Sequence, residues 1–212
     1  MIRDYFRRHL GWLLPVLFLA PGIALAETAP PEALVKNVTE EVLSILRQDK
    51  EIQSGNRQRA VALIENKVAP HFDFARMTSL AVGKAWQQAD AGQRQALTSE
   101  FRILLVRTYA AALTAYREQT VSFKPVDRAT GNDEVTVRSQ INKPGSQPIP
   151  LDYSLSRSDD GWKVFDVSVA NVSLVTNYRS SFASAMEQGG LDGLLKTLQE
   201  KNRRLQTASP AA

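Results

Sequence analysis

The hydrophobic period changes twice along this chain, and that constrains the fold more than any other feature. Up to about residue 116 apolar residues recur at helical spacing, between 120 and 169 they alternate, and beyond 174 helical spacing returns. Helices, then strands, then helices is an order that argues against a doubly wound sheet and predicts an α+β fold.

In the first part, Leu34, Val35, Val38, Val42, Ile45 and Leu46 form one stripe over 32–48. A polar break around Gly55 precedes a second helix over 57–68, with Val61, Ile64 and Val68 inward and Pro70 ending it. Asp73 is the expected N-cap of a helix over 74–82 that Gly83 stops, with one more turn at Trp86. Asp90 is the expected cap of a long helix over 91–116. In its second half Ile103-Leu104-Leu105-Val106 and Tyr109-Ala110-Ala111-Ala112-Leu113 are interrupted only by Arg107 and Thr108, which predicts burial on several sides.

Alternation marks strands at 121–123, 135–141, 149–155 and 162–169, with turn chemistry at 142–146 and 158–161. These spacings predict an antiparallel meander with one face against the helices. Helices over 174–187 and 191–205, parted by Gly189-Gly190, complete the chain.

The N-terminus reads as an export signal. Arg3, Arg7 and Arg8 precede an apolar run from Leu10 to Leu19; Pro21-Gly22 breaks it, and Ala24-Leu25-Ala26 is a cleavage pattern. The run is too short to span a bilayer comfortably, which needs roughly 20 residues, so cleavage is expected over anchoring. The expected organisation is a signal peptide over 1–26, one domain over 27–206 and a disordered tail over 207–212. Removing the signal takes three arginines and one aspartate from a formal charge of +4. The remaining near-balance argues against a nucleic-acid binder. The chain has no cysteine, so an exported fold must rest on its core alone.

Catalytic material is scarce. With His9 in the signal, His71 is the one histidine left, and no cysteine accompanies it, so no ordinary zinc site is expected. Neither a Gly-x-Ser-x-Gly elbow nor a phosphate-binding glycine loop is present. Asp159-Asp160 before Gly161 reads as a hairpin turn. No catalytic residue, metal or cofactor is assigned, and the chain is not expected to be an enzyme.

Several ordered blocks carry a resemblance. They are 70–86 (Pro-His-Phe-Asp-Phe-Ala-Arg-Met-Thr-Ser-Leu-Ala-Val-Gly-Lys-Ala-Trp), Arg107-Thr108-Tyr109, Asp152-Tyr153, Gly161-Trp162-Lys163-Val164-Phe165-Asp166-Val167, 172–179 (Val-Ser-Leu-Val-Thr-Asn-Tyr-Arg) and Gly190-Leu191-Asp192-Gly193-Leu194. Together the sequence resembles the MlaC family of periplasmic phospholipid carriers, also called the toluene-tolerance auxiliary family. One departure is Asn171, where many relatives have glycine; asparagine tolerates positive φ, so the turn survives.

The resemblance implies a curved antiparallel sheet, related to the nuclear-transport-factor-2-like group and packed by helices, with acyl chains in an apolar cavity between sheet and helices. It implies a soluble carrier moving phospholipid between an outer-membrane lipoprotein–porin complex and an inner-membrane Mla ABC transporter complex, and so maintaining outer-membrane asymmetry. A monomer is expected. Helix–strand geometry nominates Phe101, Leu104, Leu105, Tyr109, Phe123, Val137, Leu151, Tyr153, Val164, Val167 and Val169 to line the cavity, with Tyr109 and Tyr153 near its mouth. Arg107 and Arg179 are weak headgroup candidates, and Arg107 reads more readily as a solvated or ion-paired helix residue. Pattern alone leaves three alternatives open: a small-solute binding protein of an ABC importer, an exported interaction module with a filled core, or an enzyme of the same broad fold.

Overall fold

The computed structural model describes residues 29–125 and 133–207. The expected signal peptide, and the expected tail apart from Thr207, lie outside the described residues. Helix α1 (Pro31–Gln48) opens on a proline, whose missing N–H costs nothing in a first turn, and buries Val35, Val42 and Leu46. The polar break holds a short helix, α2 (Lys50–Gln53), which Asp49 starts by accepting from the backbone N–H of Glu51 and Ile52. Asn56 caps α3 (Arg57–Leu63).

The single helix expected over 57–68 is divided. After Leu63 the chain widens into a π-helical turn, Ile64–Val68, and then tightens into a 3-10 turn, Ala69–His71. Pro70 has no N–H for a helical ladder, so the α-helix cannot run through it.

Asp73 caps α4 (Phe74–Val82) through the Arg76 N–H at 2.8 Å, and Gly83 follows at φ +70°. A 3-10 stretch, Gly83–Gln88, carries Trp86. Helix α5 (Ala91–Thr114) begins with a reciprocal capping box: the Gln93 N–H donates to Asp90 at 2.8 Å, and the Asp90 N–H donates to the Gln93 side chain at 3.2 Å. The helix stops at Thr114, and Tyr116 turns inward beyond it.

Strands β1 (Thr120–Phe123), β2 (Glu134–Asn142), β3 (Ile149–Ser158), β4 (Gly161–Val169) and β5 (Val172–Ser173) form one antiparallel meander in chain order. The fifth strand was not expected; two residues are too short for alternation to mark. The turn before it uses Ala170 at φ +50° and Asn171 at φ +66°, so asparagine serves where a left-handed residue is needed. Helices α6 (Leu174–Glu187) and α7 (Gly190–Thr207) follow.

One irregularity matters for the sheet's inner face. Ser154 pairs with Asp166 but Leu155 pairs with Val164, which leaves Phe165 as an extra residue in β4. A bulge of this kind bends the strand and shifts its parity. Trp162, Val164, Val167 and Val169 therefore join one cluster although their numbers change from even to odd. The Phe165 ring lies beneath the Arg76 guanidinium, 3.7 Å from its centroid. The Asp166 carboxylate accepts from the N–H of Val167 (2.8 Å) and Val175 (3.1 Å) and from the Ser173 hydroxyl (2.5 Å), which ties β4 to the start of α6.

Among the described residues, apolar side chains gather in three clusters. The largest joins α4, α5, α6 and α7 around Met77, Leu97, Phe101, Phe182, Leu194 and Leu198. A second joins α1, α2, α3 and the end of α5 around Leu46, Ile52, Ala60 and Tyr116. The third lies on the sheet around Val137, Leu155, Val164 and Val167, with Val35 of α1 reaching down to it.

Candidate functional site: an apolar cavity beneath the first helix

Between α1 and the sheet the second and third clusters do not close on each other. They leave a cavity of about 570 Å³. Its roof is the stripe of α1: Leu34, Val35, Val38, Val42, Leu43 and Leu46. These positions recur at helical spacing, so one face of the helix looks onto the space. Its floor is Val121 of β1, Ile141 of β2, Leu151 and Tyr153 of β3, and Val164 of β4. One side wall is Val68 and Phe72, held by the π-helical and 3-10 turns; the other is Leu113 and Tyr116 at the end of α5. Phe72 is fixed against β4 by a bridge to Val164, with the Asp73 N–H donating to the Val164 carbonyl at 2.8 Å.

Few polar groups interrupt this lining. Tyr153 is surrounded by protein yet keeps accessible surface, because that surface faces the cavity. Burial pushes its phenol up to about 12, even though a hydrogen bond with Thr39 opposes the shift, so it stays uncharged. The remaining polar lining, apart from His71, gathers at one end: Gln119 after α5, and Lys143, Ser146 and Gln147 in the β2–β3 turn. Ile149, 44% exposed, stands beside that turn.

His71 lies on the wall, and desolvation holds its imidazole below the ordinary 6.5; Lys163 nearby pushes the same way, and Glu41 opposes. Folding therefore disfavours the imidazolium. The unfolded chain binds more protons once the pH drops below about 6.5, and this residue's contribution to stability is lost over that range. Thermal melts between pH 8 and 5 should show a steeper decline for the wild type than for His71→Gln. Parallel declines would remove His71 from the acid response.

Three nominated residues, Leu151, Tyr153 and Val164, line the cavity. Phe123, Val137, Val167 and Val169 belong to the sheet cluster but not to the cavity wall. Phe101, Leu104, Leu105 and Tyr109 sit elsewhere, in the helical cluster. The expectation that the middle of the long helix borders the cavity is therefore corrected. That stretch is apolar all round because α4 and α7 pack on it, and only its last turn reaches the cavity.

Both arginine candidates are engaged in the scaffold. Arg107 donates to the Asn202 carbonyl of α7 at 2.7 Å, and Arg179 donates to the Leu80 carbonyl of α4 at 2.9 and 3.2 Å. Neither lines the cavity. What the sequence reading missed is α1 as the roof and the 143–147 turn as the rim. The stripe of α1 was visible, but nothing in its spacing tells a void from a packed neighbour.

Among the described residues no cluster of three histidine, cysteine or carboxylate side chains is placed to hold a metal, and no helix is long and apolar enough to cross a membrane. Fold and cavity together define an α+β protein that encloses an apolar space with one polar end. The chain belongs to the MlaC protein family, whose profile spans residues 36–200. It is 26% identical over 188 residues to the intermembrane phospholipid transport system binding protein MlaC of Haemophilus influenzae, covering 86% of each chain. Over 181 residues it is 26% identical to the toluene tolerance protein ttg2D of Pseudomonas putida, covering 85% of this chain and 83% of that one. A solved structure of a phospholipid-binding protein from Ralstonia solanacearum, in complex with a phospholipid, superposes with a TM-score of 0.78. The two are 38% identical over 84% of this chain and 99% of that one.

Proposed function

We propose that this protein is a periplasmic phospholipid carrier whose acyl chains occupy the cavity beneath α1. The observation that carries the reading is the 570 Å³ apolar space itself, roofed by an amphipathic helix and floored by a sheet. Family membership and a phospholipid-bound relative of the same fold support it. Burying one methylene is worth about 0.8 kcal/mol, so two chains of roughly fifteen carbons put on the order of 20 kcal/mol against crossing water free. A dry cavity removes most of that barrier.

In this reading the chain is exported by its signal peptide. It then shuttles lipid between an outer-membrane lipoprotein–porin complex and the inner-membrane Mla ABC transporter complex, maintaining outer-membrane asymmetry. A cavity this apolar does not release its ligand quickly by simple dissociation, so docking on the receiver must lower the cost of exit.

Native mass spectrometry of protein purified without added lipid tests the proposal. A mass increment matching a two-chain phospholipid is expected. A clean unliganded mass, with no uptake from vesicles, would rule the carrier reading out.

A further inference from the structure

A second depression of about 380 Å³ lies beside the polar end of the cavity. Tyr116, Gln119 and Lys143 line both, so the two spaces adjoin. The second space is lined by Gln53, Arg117, Glu118 and Pro144 besides the shared residues, and apolar side chains no longer dominate it. Arg47 stands beside it, donating to the Tyr116 hydroxyl at 3.3 Å, and that hydroxyl donates to the Gln119 carbonyl at 3.0 Å. Tyr116 thus divides the two spaces, with its ring in the apolar cluster and its oxygen at the rim.

The charge here is one-sided. Arg117 and Lys143 line the depression against the single carboxylate of Glu118, and Arg47 reaches the Tyr116 hydroxyl at its edge. One nitrogen of Arg117 covers the Thr114 and Tyr116 carbonyls at 3.0 and 2.6 Å, which fixes its guanidinium at the end of α5. Arg107 and Arg179, the weak headgroup candidates read from the sequence, line neither space.

We infer that this depression is a headgroup subsite that favours phospholipids of net negative charge, with Lys143 and Arg117 as its specificity-determining residues. The inference rests on the carrier reading above. A lipid whose chains fill the apolar space brings its phosphate to the shared rim, where Lys143 and Arg117 meet it. A zwitterionic headgroup carries its own ammonium into the same cationic surroundings and is repelled, whereas a glycerol headgroup is not.

The test incubates the full mature chain with vesicles of equal phosphatidylglycerol and phosphatidylethanolamine and reads the ratio of bound lipids by native mass spectrometry. Phosphatidylglycerol should be favoured about fivefold or more, and the preference should shrink as salt screens the exposed cations. Lys143→Glu, in an exposed turn where folding is not at stake, should bring the ratio to about one, and Lys143→Glu with Arg117→Glu should reverse it. Inorganic phosphate at matched ionic strength should leave the wild-type ratio in place. A ratio abolished by phosphate would assign these cations to free anions and overturn the subsite. A wild-type cavity that fills without selectivity, or a double variant that keeps the preference, would overturn it as well, while leaving the carrier reading standing. A wild-type chain that takes up neither lipid overturns both.

Discussion

Val38→Trp combined with Leu151→Trp should empty the protein of lipid while leaving it folded. The two residues face each other across the cavity, one on the roof and one on the floor. Both are only partly buried, because each borders unfilled space. Two indole rings placed there enter a void and not a packed interior, so the usual overpacking cost of about 1–3 kcal/mol is largely avoided. The ligand bears the loss instead. Excluding only two methylenes removes about 1.6 kcal/mol of burial, already more than tenfold in affinity, and two indoles exclude more. Native mass spectrometry after incubation with vesicles should show bound lipid reduced by at least about tenfold, with an unchanged thermal midpoint. Undiminished lipid at that midpoint would place the chains outside this cavity.

Phe101→Ala should do the reverse. Phe101 has no exposed surface, and its ring meets Tyr178 and Phe182 edge-on, each at 5.0 Å between centroids. It stands where α5 and α6 cross, among Met77, Leu97 and Leu198. Truncating a buried phenylalanine costs about 3–5 kcal/mol, the lost transfer energy plus that of the hole left behind. For a domain of this size that corresponds to a fall of roughly 10 °C in thermal midpoint. At a temperature where the variant remains folded it should load lipid as the wild type does, because its hole opens in the helical cluster. A midpoint within about 2 °C of the wild type would mean that the cluster repacks around the missing ring. Together the two variants separate the part of the molecule that holds it together from the part that holds a ligand.

Local chemistry made most elements readable in advance. Asp73 and Asp90 are caps because a carboxylate can accept from the third helical N–H, and both do so here. Asn171 takes the left-handed turn that its position required. Four of the five strands followed from alternation, and Val164 with Val167 depart from it. Both sit on one face, which a regular strand forbids, and the Phe165 bulge is the reason.

The cavity was not readable in the same way. An amphipathic stripe states which face of α1 turns inward, not how far the sheet lies beneath it. That distance is set by Val35 touching the sheet, by the wide turn at Ile64–Val68 and by the length of α5, features that lie far apart in sequence. The apolar circumference of α5 misled for a related reason: a helix looks alike whether its neighbours are other helices or a ligand.

The buried residues of the cluster formed by α4, α5, α6 and α7 all lie outside the cavity lining. On the proposed carrier function, cohesion and capacity are therefore housed apart, and the empty protein should keep its helical core. The trace left by each filling should be a local one, a slowing of amide exchange along α1 while the amides of α5 and α7 exchange at the same rate, loaded or empty.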